Sequence, residues 1–186
     1  MKKLILLFAM ALVMQSCYVT IEIPPCMKGN LTPEQTNSIC WLSDTTSLIG
    51  LDNDDCIYAI NSNQMKDLLI AKDRTIVYRW LPYDMKNNIP IYFVQSYCDE
   101  NNIELYVITN EYTAAFAEID NVKNPIFSMN ISDCMINVEN KLEDKFYKEL
   151  FGNKYKKKFH IYYLENGEFV RTEDEMMNEK WKKKWE

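Results

Sequence analysis

The chain has 186 residues, 47% of them apolar and 26% charged, with four glycines, six prolines and a formal charge of −6. That balance excludes disorder and low complexity, and an acidic chain has little attraction for nucleic acid, whose binding depends on neutralising phosphates. Six cysteines beside a single histidine, with no C-x-x-C pair, exclude the common zinc spacings and a standard dithiol motif.

The first expected element is an export signal. Lys2 and Lys3 make a positive start, and Leu4 to Val13 make an apolar run of ten residues, half of the roughly 20 needed to span a bilayer. Met14-Gln15-Ser16-Cys17 resembles a bacterial lipobox, with Leu replaced by Met14. Residues 1–16 are therefore expected to be removed and Cys17 to be acylated. Each buried methylene of an acyl chain contributes about 0.8 kcal/mol, so several chains on one cysteine anchor firmly. Tyr18 rather than Asp follows Cys17. By resemblance to enteric lipoproteins, that implies the outer membrane, and the lack of an acidic cluster after Cys17 points to its periplasmic face. Losing sixteen of the 186 residues leaves 170, one domain's worth, and losing two lysines with them takes the charge from −6 to −8.

Residues 17–30 are expected to be a lipidated tether, kept extended by Pro24-Pro25. In residues 31–55, an N-terminal extension, Thr32-Pro33-Glu34-Gln35 predicts a capped helix start, with the helix running to about Leu42. Leu51 to Cys56, "LDNDDC", alternates acids as a calcium loop does. Cys56, Ile57 and Asn63 stand where a ligand, a glycine and a closing glutamate are needed, so a solvated turn is the reading.

From Cys56 onward the pattern alternates. Cys56 to Ile60 predicts a strand, and Asn61-Ser62-Asn63 a cap before a helix from Gln64 to Ala71. Thr75 to Trp80 is β-branched and aromatic, as a central strand is. Pro90 to Asn101 predicts a helix with Ile91, Val94 and Cys98 on one stripe. A second central strand follows at Ile103–Thr109, then a short helix from Tyr112 to Glu118 and a short strand from Pro125 to Asn130. Val138 to Phe151 predicts an amphipathic helix with Leu142, Phe146 and Leu150 aligned, closed by Gly152. "FHIYYLENGEFVRTEDE" places Asn166-Gly167 between two apolar runs, the signature of a type I′ hairpin. A charged helix from about Thr172 ends the chain, with Trp181 and Trp185 on one face. The class is α/β with a mixed sheet.

Residues 56–186 resemble the thioredoxin-like superfamily, in its extended periplasmic and peroxiredoxin-like branch. "TIVYRW" is similar to the strand before the active site, "IELYVITN" to the next strand, "NPIFSMN" to the inserted strand and "HIYYLENGEFV" to the terminal hairpin. The resemblance implies a three-layer α/β/α sandwich around a central mixed sheet, with residues 31–55 outside it. It also implies where the chemistry ought to be. With Trp80 on the family's tryptophan, Asp84 and Asn87 stand where the two cysteines belong, and Lys158 where the cis-proline belongs.

Thiol exchange needs an attacking thiolate and a resolving thiol, so the family's chemistry does not carry over. Cys98 is expected on a buried face, and Cys134 beside Asp133, whose charge opposes thiolate formation. A structural disulfide is expected among Cys26, Cys40 and Cys56, with Cys26–Cys40 the short loop. Asp84 at a helix mouth suits the helix dipole as well as it suits acid–base work, and His160 is expected as a strand-face histidine without a nucleophile. The expected function is a non-catalytic binding or accessory module in the cell envelope. Its groove would be formed by Trp80, Tyr83, Asp84, Asn87 and Lys158, and its partners would be membrane lipid through Cys17 and an envelope protein or peptide. No cofactor or metal is expected. Two alternatives stay open: a thiol oxidoreductase working through Cys98 and Cys134, and a purely structural envelope component.

Overall fold

The computed structural model describes residues 31–84, 89–129 and 136–183. The expected signal peptide, the acylated Cys17, the tether, Cys26, Asn87, Cys134 and Trp185 lie outside the described residues. Within them are strands β1 (Ile39–Trp41), β2 (Ile57–Ile60), β3 (Arg74–Arg79), β4 (Glu104–Ile108), β5 (Ile126–Met129), β6 (Ile161–Glu165) and β7 (Glu168–Thr172). The α-helices are α1 (Pro33–Asn37), α2 (Ser62–Ile70), α3 (Ile91–Glu100), α4 (Tyr112–Glu118), α5 (Ile136–Phe151) and α6 (Asp174–Lys183). The seven strands form one mixed sheet in the order β1-β2-β5-β4-β3-β6-β7. β1 to β5 run parallel, β6 runs antiparallel to β3, and β7 is antiparallel to β6. The fold is mixed α/β, as the alternation of elements predicts.

Burial explains the strand sequences. Every residue of β2 and β5 is buried, and so are Thr75 to Arg79 of β3, because parallel strands are covered on both faces and take continuous apolar runs. Successive side chains alternate between faces. Arg79 meets Glu143 of α5, whereas the Tyr78 hydroxyl donates to the Ile89 carbonyl just ahead of α3 at 2.7 Å. Helices therefore cover both faces at the centre of the sheet. α2 and α5 pack against each other on one side. α3 meets α6 on the other, where Phe93 and Trp181 lie edge to face at 5.1 Å.

Local chemistry sets the boundaries. α2 carries a full capping box, with Asn61 accepting from the Gln64 N–H and Gln64 reaching back to Asn61. Gly152, at φ +58°, ends α5. Asn166 and Gly167 both take positive φ, 49° and 77°, as a type I′ turn requires.

Residues 31–55 correct two expectations. The helix stops at Asn37 instead of Leu42, and Ile39–Trp41 forms a parallel edge strand on β2. Three residues after a helix show no strand period of their own; pairing with β2 makes them one. Ile39 and Leu48 of this segment belong to the hydrophobic core. In "LDNDDC", the Asn53 amide donates to the carbonyls of Ile119 and Val122, which pins the turn, and no metal-binding group is found among the described residues.

Candidate functional site

The carboxyl ends of the parallel strands are where open α/β sheets place their chemistry. At that end of β3 the chain leaves the sheet at Trp80, which is buried and whose N–H donates to the Ile108 carbonyl of β4 at 2.9 Å. Tyr83 follows, 61% exposed, and then Asp84, whose N–H closes a turn onto the Leu81 carbonyl. β6 arrives from the other side, so that His160 lies beside Arg79: the Arg79 N–H donates to the His160 carbonyl at 2.8 Å.

His160 is the centre of the arrangement. Its Nδ1 lies 3.3 Å from the Arg79 carbonyl oxygen. A carbonyl only accepts, so Nδ1 carries the hydrogen. Nε2 faces the Asp84 carboxylate at 3.6 Å, with the imidazole 6% and the carboxylate 32% exposed. With Nδ1 committed, Nε2 carries a proton only in the imidazolium, and only then is the contact an ion pair, open to water mainly on the Asp84 side. The main chain of His160 is held separately. Asp174, at the start of α6, accepts from the His160 N–H at 2.7 Å and from the Ile161 N–H at 3.2 Å. Burial pushes the Asp174 pKa up from its ordinary value, while those two N–H groups pull it down.

Beneath lies a buried charge pair. Arg79 Nε donates to Glu143 Oε1 at 2.5 Å, the two side chains being 4% and 9% exposed. Arg79 also donates through Nη1 to the Lys157 carbonyl at 2.9 Å and stands over the Tyr147 ring. Burial works against the Arg79 charge, yet the Glu143 carboxylate holds its pKa above the ordinary value.

Four of the five residues expected in the groove lie within the described residues. Trp80, Tyr83 and Asp84 follow one another at the mouth, with Trp80 turned into the core and Tyr83 outward. Asp84 meets His160, the residue expected as a strand-face histidine without a nucleophile. Lys158 is exposed and sets its ammonium 4.7 Å from the Phe159 ring centroid, and no cis peptide occurs among the described residues. Arg79 and Glu143 carried no signal in the sequence: an arginine at a strand end and a glutamate in an amphipathic helix usually face water.

The thiols are placed as well. Cys98 is buried within α3, where burial and then the Asp99 charge push its pKa up to about 12, so it offers no thiolate near neutrality. The Cys40 sulfur lies 3.0 Å from that of Cys56.

No family model, curated protein or solved structure matches the chain.

What the site does must therefore come from its own chemistry. The usual hydrolytic arrangement has a carboxylate on Nδ1 and leaves Nε2 to activate a nucleophile. Here Nδ1 meets the backbone and the carboxylate faces Nε2 at 3.6 Å, the reverse of that order. At the mouth itself the Asp84 carboxylate is partly exposed and the Tyr83 ring exposed. Along the same edge, two residues past β4, the buried Asn110 Oδ1 has no hydrogen-bond partner among the described residues.

Proposed function

We propose that this chain is a membrane-tethered, thioredoxin-like domain that has lost thiol exchange and serves as a binding or accessory module in the cell envelope. The observation that carries the proposal is the mouth after β3. Where a thioredoxin-like enzyme holds its attacking thiol, this chain holds Asp84 paired with His160, beside an exposed Tyr83. The strand order β4-β3-β6-β7, with β6 antiparallel to β3, supports the thioredoxin-like, three-layer reading, and β5 then corresponds to the family's inserted strand. The lipobox-like Met14 to Cys17 supports an anchor through acylated Cys17, at the outer membrane facing the periplasm.

The partner is an envelope protein or peptide that presents hydrogen-bond donors or a positive charge to Asp84 and apolar surface to Tyr83. A photo-crosslinking residue at position 83, in the full chain in intact cells, tests this. One discrete adduct that disappears in Asp84→Asn supports the module; a smear unchanged by that substitution refutes it. Metabolic labelling with a fatty acid tests the anchor separately, because Cys17→Ala is expected to abolish the label. A Cys17→Ala protein labelled as strongly as wild type would remove the tether from the proposal.

A further inference from the structure

Two cysteines meet on the edge of the sheet, far in sequence from the mouth. β1 and β2 are parallel with Ile39 opposite Ile57, and the Ile57 N–H donates to the Ser38 carbonyl at 3.0 Å. That register sets Cys56 level with Ser38, so Cys40 and Cys56 are two residues out of step on one face of neighbouring strands. Their sulfurs stand 3.0 Å apart, about 1 Å beyond the bonding distance of roughly 2.04 Å. Both side chains are partly accessible.

We infer that Cys40 and Cys56 are a disulfide-forming pair that fastens the edge strand β1 to the body of the sheet. The pair is suited to a structural link more than to catalysis. Fifteen residues separate the two cysteines, unlike a C-x-x-C, and neither stands at a helix N-terminus. Burial, then Cys40, then Asp54 and Asp55 push the Cys56 pKa up to about 12, which disfavours a standing thiolate. The benefit is mechanical. β1 has three residues and, among the described residues, pairs only with β2, so it is an edge held by few hydrogen bonds, and it carries whatever pull reaches it from the preceding chain.

The step balances with a disulfide donor as oxidant, either a small-molecule disulfide or an oxidised thiol oxidase. One protein thiolate attacks a donor sulfur, forming a mixed disulfide and releasing one donor thiol. The second protein thiolate then attacks the protein sulfur of that mixed disulfide and expels the other donor thiol. The two protein thiols lose two electrons and two protons, and the donor gains them.

The test uses the full chain in detergent, reduced, freed of reductant, equilibrated with oxidised glutathione, and quenched with N-ethylmaleimide in acid. The expected product has lost about 2 Da at this pair, yields a linked Cys40–Cys56 peptide, and shows both cysteines protected from the reagent. Cys40→Ser should leave Cys56 labelled or glutathionylated, with no linked peptide. Alkylation of both cysteines in the oxidised wild type, or a link from either to Cys26 or Cys134, would overturn the inference. None of these outcomes depends on acylation of Cys17 or on what the mouth binds.

Discussion

Replacing Arg79 by Met tests whether the floor of the site is a structural ion pair. Both side chains of the Arg79–Glu143 pair are nearly sealed from water, at 4% and 9% exposure. Met keeps most of the apolar stem but leaves the Glu143 carboxylate buried without its partner. Breaking a buried pair on one side costs about 3–5 kcal/mol, a large share of the roughly 5–15 kcal/mol that stabilises a domain. Removing both charges, as in Arg79→Met with Glu143→Leu, takes away that penalty. What remains lost is the hydrogen bond from Arg79 to the Lys157 carbonyl, worth about 1 kcal/mol. The double variant should therefore lie within about 2 kcal/mol of wild type, although each single variant lies further away. Urea unfolding followed by tryptophan fluorescence measures all four proteins, and an unchanged m-value confirms that the same transition is compared. Additive single effects, or a loss below about 1 kcal/mol for Arg79→Met, would show that the pair is solvated and the reasoning wrong.

Trp80→Ala should cost about 3–5 kcal/mol in the same assay, because the ring is 4% exposed at the end of a central strand; a loss under about 1 kcal/mol would refute its place in the core. Gly167→Ala should destabilise more than Gly152→Ala, since both have positive φ but a Cβ at 167 would meet Ile70 Cα at 2.9 Å, whereas one at 152 meets nothing within 4 Å. At pH 8 native Cys98 should react with iodoacetamide roughly a thousandfold more slowly than free cysteine, given a pKa of about 12; labelling at the free rate would contradict its burial. The raised pKa of Asp174 means the folded state holds that proton more tightly than the unfolded one. Its contribution favours folding below an unfolded pKa of about 3.9 and is lost as pH rises through the folded value. The stability gap between wild type and Asp174→Asn should thus be wider at pH 4 than at pH 7, and a gap that widens with pH would reverse the assignment. Residues 18–186 should not reduce insulin above the dithiothreitol background, and turnover lost in Cys98→Ser or Cys134→Ser would promote the oxidoreductase alternative.

Legibility in the sequence followed the range of the forces involved. β3 and β4 were visible because buried parallel strands need uninterrupted apolar runs, and the β6–β7 hairpin because Asn166-Gly167 suits two positive φ values. The capping box of α2 was readable from Asn61 and Gln64 alone. β1 was not, because Ile39 to Trp41 becomes a strand only when β2 supplies its partners. Neither was the core of the site. Asp84 and His160 are 76 positions apart in the chain, and Arg79 and Glu143 are 64 apart. No local pattern marks a buried arginine whose compensating carboxylate arrives from another helix. Cys40 and Cys56 were legible as candidates for pairing, but the register that brings them together belongs to the sheet.

The mouth is anchored from both faces of the sheet. Arg79 ties β3 to α5 through Glu143, and its own carbonyl holds His160 Nδ1. Asp174 ties the first residues of β6 to the start of α6, and α6 packs in turn on α3 through Trp181 and Phe93. Asp84 therefore presents a half-exposed carboxylate against an imidazole whose ring and backbone are each fixed by a different element. Such support lets a binding residue hold its geometry without ordering itself on contact, which is where much of the cost of association otherwise lies. An oxidoreductase would use that rigidity to position a thiol. In this chain the same rigidity surrounds the Asp84 carboxylate and the exposed Tyr83, and under the proposed function these are the groups that a donor-bearing partner would meet.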